Sequence, residues 1–347
     1  MNGTHQWGVG RAGKTPETSA IAGNNRWTER LRTCHRASVS ATPTTAGPAT
    51  KTGGASHGSG PEAMIILEAH GYRLELAPER GGSVLRLDWQ GKPLMRPVCG
   101  DTIFDVASFP LVPFSNRIAR GRFNTGLRKG TIAPNFPGSD HPHPLHGFGW
   151  LAAWTVAQQS AETAVLEHAY PGGEWSWPYL ARQTFELGAE GLSTSLSVTN
   201  LGDAAMPAGL GFHPYFPRDE STLYRGLHRG EWYNTPDCLP SSLDEHEEAI
   251  DWWQGEPVST RAVDTAYTDR EGALEIDWPA RGLGLTISPS QVLTTTVVFS
   301  PEGQDYFCVE PVSHATDAIN RAPETMLWLA PGETADVGMT IAARTLA

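Results

Sequence analysis

Apolar residues in this chain come in short alternating runs broken by turn residues, and no long stretch keeps a 3.6-residue apolar period. Tyr72-Arg73-Leu74-Glu75-Leu76 alternates, Pro78 to Gly82 turns, and Val84-Leu85-Arg86-Leu87-Asp88-Trp89 alternates again before a Gln90-Gly91-Lys92-Pro93 turn. That pattern predicts a β-hairpin. Similar runs recur at 163–168, at 181–187 with 192–200, at 273–278 with 283–288, at 292–299 and at 335–342. Turn formers are plentiful, with 37 glycines and 27 prolines. Strands that follow one another without long helices between them pair antiparallel, so the expected class is all-β, a large antiparallel β-sandwich.

The N-terminal segment is of a different kind. Residues 1–61 are dominated by Gly, Ala, Ser and Thr, and hold seven Lys and Arg against two Asp and Glu. Such a composition buries too little apolar surface to offset chain entropy, which predicts a disordered extension. Its bias also fits an organellar transit peptide, and equally an upstream start codon with Met64 as the natural start. The folded domain is expected over 64–347. The whole chain carries a formal charge of −12. This disfavours nucleic acid and anionic membrane surfaces as partners, since both call for basic patches. Cys34, Cys99, Cys238 and Cys308 are far apart and lack metal-type spacing, as expected of free thiols in a reducing compartment. No run of 18 apolar residues is present, so a cytoplasmic protein is expected.

Several segments have chemistry beyond packing. In Phe307-Cys308-Val309-Glu310-Pro311 an apolar strand ends on a carboxylate. Alternation places Tyr306, Cys308 and Glu310 on one face, and Pro311 is expected to end the ladder. A partly desolvated carboxylate has a raised pKa and suits general-base work, although Glu310 taken alone reads as an ordinary strand-end glutamate. Asn116-Arg117 combines a donor-acceptor amide with a planar fork of donors, suited to adjacent hydroxyls, or simply to capping a turn and pairing with a carboxylate. Asp140-His141-Pro142-His143-Pro144-Leu145-His146 packs three histidines into six residues, which invites a cupin-like metal site. Pro142 and Pro144 break the regular strand such a pair needs, so His141 and His143 are expected to be solvated. His146, flanked by Gly147, admits close backbone approach. His213 lies among aromatics in Gly211-Phe212-His213-Pro214-Tyr215-Phe216, a setting for a proton shuttle or for a satisfied core histidine. Asp264 could bind a ligand or cap a turn. Trp150, Trp175, Trp177, Trp252 and Trp253 suit packing, with sugar stacking as the other use.

Taken in order, SNRIARGRF with Asn116 and Arg117, HPLHGFGW with His146, GFHPYF with His213 and FCVEPVSHATDAIN with Glu310, Asp317 and Asn320 resemble the aldose 1-epimerase (galactose mutarotase) family over about 64–345. The resemblance implies a β-sandwich without metal or organic cofactor, acting on a small-molecule aldose as a monomer or homodimer. It implies Glu310 as base, His213 as acid, His146 near the sugar ring oxygen, and Asn116, Arg117 and Asp264 on hydroxyls. Glu310 and His213 are then expected to face each other across a sugar-sized cleft. Galactose-acting members usually have Asn where this chain has Pro217, which leaves the sugar open, phosphorylated hexoses included. A non-catalytic carbohydrate-binding sandwich is the reading from another class.

Overall fold

The computed structural model describes residues 64–346; the expected extension, 1–61, lies outside them. The described residues form an all-β, antiparallel β-sandwich. Its first element is a four-stranded sheet, Ile65–Ala69, Tyr72–Ala77, Ser83–Trp89 and Lys92–Pro93, in chain order. The alternation in Tyr72–Ala77 buries Leu74 and Leu76 and leaves Arg73 and Glu75 half-buried. The second sheet has fourteen strands, with Tyr306–Val312 near one end and Thr155–Gln159 at the other. All its pairs are antiparallel, as hairpin-connected strands dictate.

One core runs through both sheets. Trp175, Trp177, Tyr179 and Trp278 are fully buried in it, and Trp150 is as deeply buried beside the histidine loop. Phe185, Leu192 and Met339 from one half of the large sheet meet Val84, Met95, Phe109 and Phe212 across a small void, so the two layers face one another there. Trp278 also donates from Nε1 to the Pro217 carbonyl at 2.7 Å, tying two strands of the large sheet together. No helix among the described residues is long and apolar enough to cross a membrane.

Two local expectations change, and one hairpin is added to the strands read from the sequence. The ladder does not end at Pro311: the strand continues to Val312, with Pro311 opposite Thr296 and Val312 opposite Thr295. A proline removes one N–H, which in an antiparallel pair costs at most one rung, and the apolar residues on both sides keep the strand extended. Glu310 is therefore inside the strand. The strand expected at 292–299 begins only at Thr295, because Val292 is exposed in a turn. Leu223–Asn234 and Pro240–Asp251 form a further hairpin at the sheet margin. The outer strand is acidic and largely exposed, which hides its β pattern and blunts an edge.

Since residues 1–61 hold too little apolar surface to build a packed core, a chain begun at Met64 is expected to unfold cooperatively with an unchanged denaturation midpoint. Chemical denaturation of the two forms side by side checks this, and loss of soluble protein on truncation refutes it.

Candidate active site

The large sheet has a break opposite Glu310. Gly211–Phe212 and Tyr215–Pro217 both pair with Tyr306–Val312, Gly211 opposite Val312 and Tyr215 opposite Cys308. Pro214 lies between them and cannot donate to the ladder. In the shared register the residue opposite Glu310 is His213. Opposite residues of an antiparallel pair lie on the same face, and His213 Nε2 is 3.2 Å from Glu310 Oε1. The two groups touch directly, in place of the sugar-sized gap expected between them.

Both side chains are buried, His213 at 7% exposure and Glu310 at 2%. Phe109 lies 4.5 Å from the His213 ring, and Tyr215 stacks on it at 4.8 Å. Arg96 covers Tyr215 in turn, 4.1 Å from its centroid. Burial holds the His213 pKa down at about 3, with the Arg96 and Arg117 charges pushing the same way. It lifts the Glu310 pKa well above the usual carboxylate range, helped by Asp264 and opposed by Arg117. The empty pair is thus uncharged, with one proton shared between carboxyl and imidazole. His213 Nδ1 is buried without a protein partner.

Asn116, Arg117 and His146 stand beside this pair on two crossing loops. Asn116 and His146 both have left-handed backbone, φ 54° and 59°, a conformation uncommon outside glycine that asparagine and histidine adopt more readily than most residues. Each stabilises the other. The His146 N–H donates to the Asn116 carbonyl at 2.9 Å, and the Asn116 N–H donates to His146 Nδ1 at 3.1 Å. Burial keeps His146 neutral. With Nδ1 accepting, its proton is on Nε2, leaving that atom a donor. The His146 ring stands edge-on to His213 at 5.2 Å. Gly147 permits the crossing: at φ 72°, a Cβ there would fall 2.2 Å from the Val112 carbonyl oxygen.

Arg117 is held at both ends of its guanidinium. Nη1 donates to Asn116 Oδ1 at 3.0 Å, and Nη2 reaches Asp264 Oδ2 at 3.3 Å. The carboxylate partner of the plainer reading of the Asn-Arg pair is therefore present. Asp264 lies on the strand Val263–Trp278 and caps no turn. Asp317 anchors the loop from behind, donating its N–H to the Arg117 carbonyl and accepting from the Ala119 N–H and from Asn320 Nδ2. Asn116, Arg117, His146, His213, Asp264 and Glu310 thus gather around one place.

The other histidines do not join them. His143 is fully buried, contrary to expectation, because Nδ1 accepts from the Arg120 N–H at 2.9 Å and Nε2 pairs with Asp237 at 3.1 Å. His141 is half-buried. With His143 turned to Asp237 and His146 to Asn116, the three do not converge on a metal. Among the described residues the metal-ligand types that lie closest are His213, Cys308 and Glu310, with donor atoms within 4.8 Å of one another. Burial raises the Cys308 and Glu310 pKa values. Cys238 and Cys308 are free thiols. Sequence reasoning missed Arg96, Phe109 and Asp237, none of which stands in a recognisable pattern. Of the five tryptophans noted, Trp150, Trp175, Trp177 and Trp253 are buried packing residues.

The sequence matches the aldose 1-epimerase family over residues 65–342. The chain belongs to the aldose 1-epimerase family. It is 31% identical over 289 residues to the uncharacterised protein YphB of Escherichia coli strain K12, covering 80% of this chain and 98% of YphB. A solved structure from Escherichia coli K12, of a protein proposed to be an aldose 1-epimerase, superimposes with a TM-score of 0.75 at 29% identity, over 82% of this chain and 99% of that one. A galactose mutarotase-like protein of Clostridium acetobutylicum shares the fold, with a TM-score of 0.72 at 20% identity over 82% and 95%.

Because the loop crossing depends on Gly147, Gly147→Ala is expected to destabilise the fold by more than about 1 kcal/mol, the order of cost for a strained backbone. It should also lower sugar affinity by displacing His146 and Asn116. Thermal melts and sugar titration of the variant test both effects, and an unaltered melt refutes the first.

Proposed function

We propose that this member of the aldose 1-epimerase family interconverts the α and β anomers of a free aldose, with Glu310 and His213 as its acid-base pair. The observation that supports it most is the buried 3.2 Å contact between these groups, which are displaced from their usual pKa values in opposite directions. Anomer exchange needs one proton removed from the C1 hydroxyl as another is delivered to the ring oxygen. A pair sharing one proton can do both without net charge change.

The steps follow from the geometry. Proton transfer along the 3.2 Å contact turns the neutral pair into carboxylate and imidazolium. Sugar hydroxyls in the site favour that form by replacing the hydration that burial withholds. Glu310 takes the C1 hydroxyl proton as His213 protonates the ring oxygen; the C1 to ring-oxygen bond breaks and C1 becomes a carbonyl. Rotation about C1–C2 presents the other face, and the same two transfers close the ring. His146 Nε2–H is a fixed donor beside His213 for the ring oxygen. Arg117, Asn116 and Asp264 serve hydroxyls; the guanidinium fork of Arg117 and the amide of Asn116 are hydrogen-bonding groups that bind and do not exchange protons. A protein that only bound sugar would gain nothing from burying this pair, which costs solvation.

The pH profile carries a definite sign. His213 is shifted down, so the pair takes its second proton only at acid pH; Glu310 is shifted up, so the pair loses its proton only well above the ordinary carboxylate range. Hence kcat/KM is expected to be bell-shaped, with the acid limb well below pH 6.5, owing to His213, and the alkaline limb owing to Glu310. Saturation-transfer NMR of aldose anomers across pH measures it, and a profile rising through pH 6.5 as a free imidazole titrates contradicts it. In the same assay Glu310→Gln is expected to lower kcat at least about 10²-fold. Near-normal exchange by Glu310→Gln would sink the assignment.

Arg117→Ala should act mainly on KM, and a loss confined to kcat at saturating sugar would make it a transition-state group. Chelators are expected to leave the rate unchanged; activity lost to EDTA and restored by a divalent metal would return the argument to metal chemistry.

A further inference from the structure

A row of side chains crosses the large sheet from the proposed catalytic pair to its margin. Glu310 lies opposite Val297, and Val297 opposite Ala266. In the register that sets Glu231 opposite Tyr267, the next residue opposite Ala266 is Trp232. Trp232 therefore shares the face of Glu310 three strands away, about 14 Å at the usual strand spacing. That is further than one pyranose ring spans. Trp232 is half-buried and lines an open groove of about 320 Å³ with Ala315, Thr316, Ala318, Arg321 and Ala322. The groove adjoins the wall of the site, since Asp317, next to Thr316, holds the Arg117 backbone.

The groove has carbohydrate-binding chemistry. Arg321 is exposed and stands over the Trp232 ring, 5.4 Å from its centroid. Among the described residues no carboxylate forms an ion pair with it. The remaining lining is three alanines and a threonine, small side chains that leave Arg321 and Trp232 as its large groups. An aromatic face takes the C–H face of a sugar, and a guanidinium fork donates to ring hydroxyls or to a carboxylate.

We infer that the Trp232–Arg321 groove is a distal subsite for a second sugar unit, and that the preferred substrate is a reducing disaccharide whose free anomeric carbon lies at Glu310. This rests on the reading of Glu310 and His213 given above. The second unit packs on Trp232, with Arg321 donating to its hydroxyls or, in a uronic acid, to its carboxylate.

The test compares galactose and glucose with lactose, maltose, cellobiose and a galacturonic acid disaccharide by NMR anomer exchange. The wild type is expected to favour one of the disaccharides about tenfold in kcat/KM over the monosaccharides, the scale of one good aromatic contact. Trp232→Ala should abolish that ratio, and Arg321→Ala should reduce it, most for the acidic disaccharide if a uronic acid is the natural second unit. Monosaccharides turned over as well as every disaccharide, or a preference that survives both substitutions, would overturn the subsite and leave the catalytic reading intact. Exchange of no sugar at all would overturn the catalytic reading instead. Calorimetric titration with the same disaccharides then decides the groove without turnover: binding lost in Trp232→Ala supports it, and absence of binding overturns it.

Discussion

The site depends on placing a carboxylate and an imidazole together where water is nearly excluded. Neither group could be buried charged and alone, because the solvation lost is far larger than one backbone hydrogen bond returns. Here the sheet register puts them opposite one another, and each satisfies the other. The cost is settled by protonation: Glu310 moves up, His213 moves down, and a neutral pair is buried where an ion pair would have been penalised. The aromatic wall of Phe109 and Tyr215 and the guanidinium of Arg96 maintain this state.

A second layer keeps neighbouring groups in place. Asn116 and His146 both adopt left-handed backbone, and each supplies the partner the other needs. The arrangement is reciprocal, since each residue gives the other one donor and one acceptor. Asp317 fastens the Arg117 loop to the segment after the central strand and itself has positive φ. The geometry of the site is thus held mostly by backbone, and side chains such as Arg117 are positioned by it.

The fold class was legible because alternation and turn residues are local signals, as at Tyr72 to Trp89 and 181–200. What escaped was decided by context. Pro311 reads as a terminator by itself, yet Val309 and Val312 are fully buried and carry the strand past it. The acidic run in Pro240–Asp251 shows no apolar alternation, yet it is an edge strand, since an edge can be charged on nearly every residue when only one side is paired.

The site was legible as residue types and illegible as distances. His213, Glu310, His146 and Asn116 each read as ordinary residues when taken alone, and it was the resemblance of their segments, in chain order, to the aldose 1-epimerase family that singled them out. The expectation of a gap between His213 and Glu310 failed because it came from the substrate, whereas the register set by Gly211 and Tyr215 allows only contact. The reverse error befell His143. Its prolines correctly argued against a metal strand but wrongly suggested exposure, because a loop can bury an imidazole once both ring nitrogens find partners. The Arg120 amide and Asp237 are those partners, and neither is near His143 in sequence. Sequence spacing can exclude a coordination geometry, but it does not report whether a polar side chain is satisfied, and satisfaction decides burial.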